Sequence, residues 1–421
     1  MEQLINWFAN ILENTAWWGL PAQPSAAIII WSVYGFILAL VIAPLAMIVL
    51  TWLERKIIAR IQDRIGPNRA GPFGLLQAVA DAIKMLTKED ITPTGADRIP
   101  FNIGPGLAAV AAILIYAVIP VAPGIIGTDL NIGVFYIVAV GSFGVLGILM
   151  AGWSSNNKYA LLGAFRAVSQ LVSYEIPMVL SLITIAVVAG SMSTVTIVDK
   201  QSWSNGGWYL VAMPVTFLIF FLSSVAEVGR SPFDLLEADS EIVAGFHVEY
   251  SGLKFGMFMI AEYVHALAVA ALTATLFLGG WHGFFVEQLM AASPVAGAIL
   301  GHIYFLLKVG VIVFILMWFR GTLPRFRIDQ LLDFGWKFMT PVALLNLLVT
   351  AFVVKLFQPA VTGMGYNIPA GPLASFGGVG QTIALLVASL VVAFIASLGV
   401  RAFARRSRSQ SPLRAVAGIE N

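Results

Sequence analysis

Long apolar blocks are what most limits the folds open to this chain. Nine of them run near 27–53, 101–119, 132–152, 160–189, 208–227, 256–279, 300–320, 337–357 and 380–400. About twenty apolar residues are what a helix needs to cross a bilayer core. Hydrophobic residues make up 59% of the chain, where soluble domains hold roughly 45–50%. The expected fold is therefore an all-α polytopic membrane protein with about nine transmembrane helices. The expected organisation is one integral membrane domain over 1–421, with a core at 27–357. An extra span and an Arg-rich tail follow at 358–421. Met1–Ala27 has no small-residue cleavage pattern, so the chain is expected to be mature.

Basic residues assign sides to these blocks. The connections 54–100, 153–166, 228–255, 320–337 and 401–421 alternate onto one face and hold 21 of the 24 Lys and Arg. The opposite connections contain only Lys200. By the positive-inside rule the N-terminus is expected outside and the C-terminus in the cytoplasm.

Absences narrow the chemistry. With no cysteine, disulfides, thiolate zinc and an all-cysteine iron–sulfur cluster are excluded from this chain. Of the four histidines, His265 and His302 could face each other as haem ligands would. Polar residues satisfied by helix neighbours are the plainer reading. A net charge of +2 leaves no nucleic-acid footprint. Gly141, Gly144 and Gly147 recur every three residues, which reads as close helix contact rather than a nucleotide loop.

Charge is dense in two places. The stretch Ala226–Ile242 carries Glu227, Asp234, Glu237, Asp239 and Glu241, with only Arg230 to offset them. Charge pressed against a bilayer tends to mark a site or a pathway. The connection 54–100 opens on Glu54-Arg55-Lys56. It continues as Arg60-Ile-Gln-Asp-Arg-Ile-Gly-Pro-Asn-Arg69, then an amphipathic helix predicted over Phe73–Glu89. Leu75, Leu76, Val79, Ile83 and Leu86 form its apolar stripe. Such a helix lies in the membrane interface, packs on a partner, or props open an entrance for a lipid-soluble molecule.

Carboxylates also fall within or at the ends of apolar blocks. Glu175 is near the middle of the fourth, Glu227 closes the fifth, Glu262 begins the sixth and Glu54 closes the first. Each ionised carboxylate at mid-bilayer costs about 2.5–3.5 kcal/mol or more. Coupled buried carboxylates suit proton relay, because each can hold or release a proton near neutral pH. The structural alternative for each is an interhelical hydrogen bond or ion pair. Pro177, two residues after Glu175, is expected to free backbone carbonyls.

The two 54–69 motifs together resemble a signature of the H subunit of bacterial NADH–quinone oxidoreductase, respiratory complex I. Gly74-Leu-Leu-Gln-Ala-Val-Ala-Asp-Ala-Ile-Lys84, Gly152-Trp-Ser-Ser-Asn-Asn-Lys-Tyr159, Ser173-Tyr-Glu-Ile-Pro177, Arg230-Ser-Pro-Phe-Asp234 and Glu249-Tyr-Ser-Gly-Leu-Lys254 are similar to others of that family. Two departures stand out. Leu236 stands where the family commonly has proline, and Asp239 replaces a glutamate.

The resemblance implies a proton-pumping complex in the bacterial inner membrane. This chain would bind no cofactor of its own. Quinone would be the substrate, with FMN and iron–sulfur clusters in partner subunits. Partners would be the hydrophilic quinone-site and terminal iron–sulfur subunits, small membrane subunits and antiporter-like subunits. Arg60, Asp63, Arg64, Phe233 and Asp234 would wall the quinone chamber. Glu54, Glu175, Glu227, Asp234, Glu237, Asp239, Glu241 and Glu262 would carry the coupling path. The alternatives are the homologous subunit of a hydrogenase or of a complex with another donor, a standalone transporter, and a passive scaffold. No internal repeat supports the transporter.

Overall fold

A computed structural model describes residues 43–202, 207–235, 243, 245–357, 361–363, 366–368, 371–373 and 377–409. The start of the first apolar block lies outside the described residues, as do Leu236, Glu237, Asp239 and Glu241. The chain is helical. One short antiparallel ladder, β1 (Val361–Gly363) with β2 (Tyr366–Ile368), stands in the connection before the last helix.

Seven described helices are long and apolar enough to cross a membrane. They are α3 (Arg98–Leu114, prolonged by a 3-10 turn to Val118), α4 (Gly133–Ser154), α5 (Lys158–Ala189), α9 (Gly252–Phe277), α11 (Pro294–Thr322), the α12–α13 unit (Ile328–Asp333 and Thr340–Phe357, joined by a π-helical turn at Phe334–Met339) and α14 (Gly377–Ser409). α1 (Ala43–Ile61) is the described part of the first block, and two short helices, α6 (Thr194–Asp199) and α10 (Val286–Ala292), lie in connections. The fifth block is broken. A single turn, α7 (Tyr209–Ala212), precedes α8 (Pro214–Val228), which alone is short for a span. Pro214 explains the break, since the residue before proline is pushed out of helical geometry, and Met213 has φ −135°.

Two helices organise the packing. α5 lies against α4, α8 and α13, while α9 lies against α1, α3 and α11. Fully buried Tyr174, Phe220, Phe233 and Phe277 fill the main core. α14 covers the outer side of α13 and α8, and the Ser389 hydroxyl accepts a hydrogen bond from the Val215 N–H at 3.1 Å. That bond satisfies an orphan donor in the first turn of α8.

The amphipathic helix is α2, Leu76–Thr87, three residues later than predicted. Phe73 (φ 53°) and Gly74 (φ 79°) hold left-handed backbone that a helix cannot include. Arg55 of α1 bonds Asp81 at 2.7 Å, and α2 leans on α9. Leu76, Ile83 and Leu86 of its apolar stripe stay exposed.

Gly147 bears out the small-residue reading. A Cβ there would come within 3.0 Å of the Gly104 carbonyl oxygen and the Ala108 nitrogen of α3, whereas at Gly144 the nearest atom would be Ala111 Cβ at 4.0 Å. Gly147→Leu is therefore expected to lower stability by about 1–3 kcal/mol through overpacking, with Gly144→Ala nearly neutral. Thermal unfolding of the purified complex in detergent measures both.

Candidate functional site

The described acidic stretch begins with a helix end. Gly229 adopts φ 73°. Its N–H bonds the Ala226 carbonyl, and the Arg230 N–H bonds the Val225 carbonyl at 3.3 Å. This glycine-terminated turn ends α8 and reverses the chain. It delivers Arg230 into the protein rather than out of it.

Arg230 is 5% exposed and lies between two helices. Its Nη1 donates to Glu54 Oε2 of α1 at 2.5 Å, and its Nη2 lies 3.0 Å from Glu262 Oε1 of α9. Its guanidinium stacks over the Tyr263 ring at 4.7 Å. Arg320 of α11 donates to the other Glu54 oxygen. Two cations and two carboxylates thus balance, which is what a buried charge network requires. Glu54 lies inside α1 and Glu262 inside α9 rather than at helix ends.

The chain beyond Arg230 is held from two sides. Gln170 of α5, fully buried, donates from Nε2 to the carbonyls of Ala226 (2.6 Å) and Phe233 (2.8 Å). Ser231–Pro232 is a cis peptide. The Phe326 N–H bonds the Pro232 carbonyl, and Arg325 bonds Asp234 at 3.1 Å.

Next to the network is a cavity of about 100 Å³, lined by Glu227, Glu262 and His265 among apolar residues of α3, α4 and α9. One water needs about 10–15 Å³ of such space, so the cavity can hold ordered water between the two carboxyls. On the α4 side, a Cβ at Gly141 would lie 3.4 Å from Glu227 Oε1. The adjoining Ser142 hydroxyl donates to Glu175 Oε1 of α5 at 2.8 Å. Glu54, Glu262, Glu227 and Glu175 are thereby brought into one series across α1, α9, α8 and α5. Pro177 leaves the Ser173 carbonyl without its helical donor. Gly335 packs close to that carbonyl, and Trp336 bonds the Ser173 hydroxyl at 2.9 Å.

The proposed chamber residues separate. Asp63 and Arg64 are exposed in the turn after α1, and Arg60 lines an outer groove with Phe314 and Trp318. Phe233 is 2% exposed, packed on Tyr174 and Phe326. Asp234 is drawn to Arg325. None of the five lines the Glu227 cavity. Sequence reading missed Arg320 and Gln170 as partners, while the three-residue spacing of Glu262 and His265 already put those two on one helical face. Two other matched motifs do meet, through a bond from Asn157 to Glu249 at 2.6 Å. Among the described residues no cluster of three His, Cys, Asp or Glu could hold a metal ion.

The far end of α9 carries a second fixed charge. Lys308 of α11 donates to the carbonyls of Leu278, Gly280 and His282 at 2.6, 2.8 and 2.6 Å. A cation at these unpaired carbonyls is favourable. In the following loop, burial holds the His282 imidazole below its usual range, against Glu287 and Asp199 beside it.

A family model described as NADH dehydrogenase matches residues 34–351. The chain is 48% identical over 337 residues to the H subunit of the NADH-quinone oxidoreductase of Dehalococcoides mccartyi strain CBDB1, covering 80% of this chain and 89% of that one. The corresponding H subunit of Geobacillus kaustophilus is 45% identical over 82% of this chain and 98% of its own length. The chain belongs to this family. Membership makes it a subunit of an oxidoreductase complex, and its apolar helices make it a membrane subunit. In this member of the family, α14 lies wholly beyond the matched residues.

Removing Arg230 leaves one buried carboxylate, Glu54, and one half-buried, Glu262, with Arg320 alone. Arg230→Met is expected to cost about 3–5 kcal/mol of stability. Arg325→Gln, which breaks a partly exposed pair, should cost under about 1 kcal/mol. Denaturant unfolding of the purified complex separates the two.

Proposed function

We propose that this chain couples quinone reduction to proton translocation in NADH–quinone oxidoreductase, through the series Glu54, Glu262, Glu227 and Glu175. The observation that carries the reading is the shared cavity of Glu227 and Glu262, with Glu262 also bound to Arg230 at the root of the acidic loop. Quinone is the substrate, and NADH oxidation and electron delivery belong to partner subunits with their own cofactors. The relatives are named for NADH and quinone, which supports this. Arg60, Asp63 and Arg64 would form the rim of the quinone chamber. Asp234 and Phe233 would belong to its wall, and Asp234, Glu237, Asp239 and Glu241 would carry the acidic path.

Reduction of a quinone takes up two electrons and two protons. Negative charge arising near the loop would strengthen the hold of Arg230 on that side and loosen its hold on Glu262. A carboxylate that loses its cation binds a proton more readily. Glu262 would then take a proton from the cavity, and Glu227 and Glu175 would respond in turn. This is a two-state element biased by local electrostatics. The basic face of the bundle is read as cytoplasmic, with the N-terminus outside.

Glu227→Gln in the assembled enzyme is expected to lower proton pumping about 10²-fold, the low end of what a positioned proton-transfer group contributes. Asp234→Asn should slow quinone reduction more mildly. Unchanged reductase rate and pumping in both variants would sink the reading, while normal pumping in Glu175→Gln would favour a passive scaffold. Orientation has its own check, because the chain lacks cysteine. A thiol reagent that cannot cross membranes should label Lys200→Cys in spheroplasts, and Arg327→Cys only in inverted vesicles.

A further inference from the structure

Lys56 and Arg60 are one helical turn apart near the end of α1, beside the end of α11. Their neighbours in sequence and space are matched: Arg55 pairs with Asp81, and Arg320 with Glu54. Among the described residues no carboxylate pairs with Lys56 or Arg60. Both line an open groove of about 570 Å³ whose other walls are Ile57, Ile61, Phe314 and Trp318. A cation near a helix C-terminus complements the helix dipole, but that does not account for the apolar channel beneath it.

The apolar surface continues. Phe314 also belongs to a shallow, open face of α11 that runs past Val311, Gly310 and Leu307 to Ile303. Positions 307, 311, 314 and 318 recur at helical spacing on one face. From Ile303 to Trp318 the rise is about 22 Å, which exceeds the ~15 Å depth of half a hydrocarbon core. Gly310 forms a notch, since a Cβ there would meet nothing within 4 Å. The apolar walls are bare: Leu307 is 60% exposed, Val311 56% and Trp318 50%. Trp318 stands at the basic end, where aromatic side chains mark the membrane–water boundary.

We infer that this groove is a binding site for one anionic phospholipid, its phosphate between Lys56 and Arg60 and an acyl chain along the α11 face. Charge decides the class of occupant. Basic pockets between transmembrane helices select phosphate headgroups, whereas a quinone presents a neutral ring. The site stands apart from the Glu227 cavity; it shares Arg60 with the rim of the proposed quinone chamber, while Lys56 and the α11 face belong to the lipid site alone.

The test uses the intact complex in detergent, stripped of loosely held lipid and then given phosphatidylglycerol or phosphatidylcholine with the same chains. Bound lipid per complex is counted by native mass spectrometry. Phosphatidylglycerol should be retained in preference. Lys56→Gln should weaken that retention about fivefold, the effect of one basic residue near an anionic headgroup. Gly310→Leu should expel the chain whichever headgroup is offered, with turnover of a short-chain quinone unchanged. A photocrosslinker placed at Leu307 should capture phospholipid. Equal retention of the two lipids with no effect of Lys56→Gln overturns the inference. So does capture at Leu307 of a partner subunit or of long-chain quinone.

Discussion

The architecture depends on where one guanidinium goes. Arg230 follows a glycine turn at the end of α8, and the turn points it inward to two carboxylates from α1 and α9. Stripped of either carboxylate, a cation that is 5% exposed would be costly to bury. Stripped of the cation, α1 and α9 would press two acids toward each other. The ion network therefore sets the spacing of α1, α9 and the loop together. It also makes the root of the acidic loop part of the helix bundle rather than a surface appendage.

The site beside it shows how a membrane interior makes room for acid. Gly141 gives up a side chain where Glu227 needs space, and Ser142 offers a hydroxyl to Glu175. Neither carboxylate has a lysine or arginine bound to it among the described residues. They are held by small residues, a hydroxyl and a cavity that can admit water. Glu54 and Glu262 are held by formal charge instead. The series thus passes from ion-paired to neutral surroundings within one protein, the gradient of environment on which differences in proton affinity rest.

Much of the fold was legible because bilayer thickness imposes a length on each helix, and the apolar blocks carry that length in one dimension. The fifth block reads as continuous over 208–227, although Pro214 within it breaks the helix. α2 began later than its periodicity suggested, because the left-handed backbone of Phe73 and Gly74 leaves no mark on an apolar pattern. The acids of the site were visible as charge in apolar surroundings. Their partners were not, since Arg320 lies 266 residues from Glu54 and no periodicity links positions so far apart. Gln170 was hidden for another reason: an amide inside an apolar helix looks the same whether it faces a neighbour or ties down a loop. Phe233 was read from its motif as a wall. In the folded chain its ring is buried against Tyr174 and Phe326, an anchoring contact that the motif did not disclose.

α9 is secured at two heights. Midway, Glu262 is tied to Arg230, and at the far end Lys308 grips three carbonyl oxygens. A rod pinned at two levels cannot slide along its length or tip as a lever without breaking one pin. While both pins hold, a disturbance beside α9 is taken up sideways, by side chains and by such water as the cavity admits; release of Glu262 still leaves the far end held by Lys308. In the proposed coupling, α9 would be the frame past which the signal travels, and the moving parts would be the small groups around it.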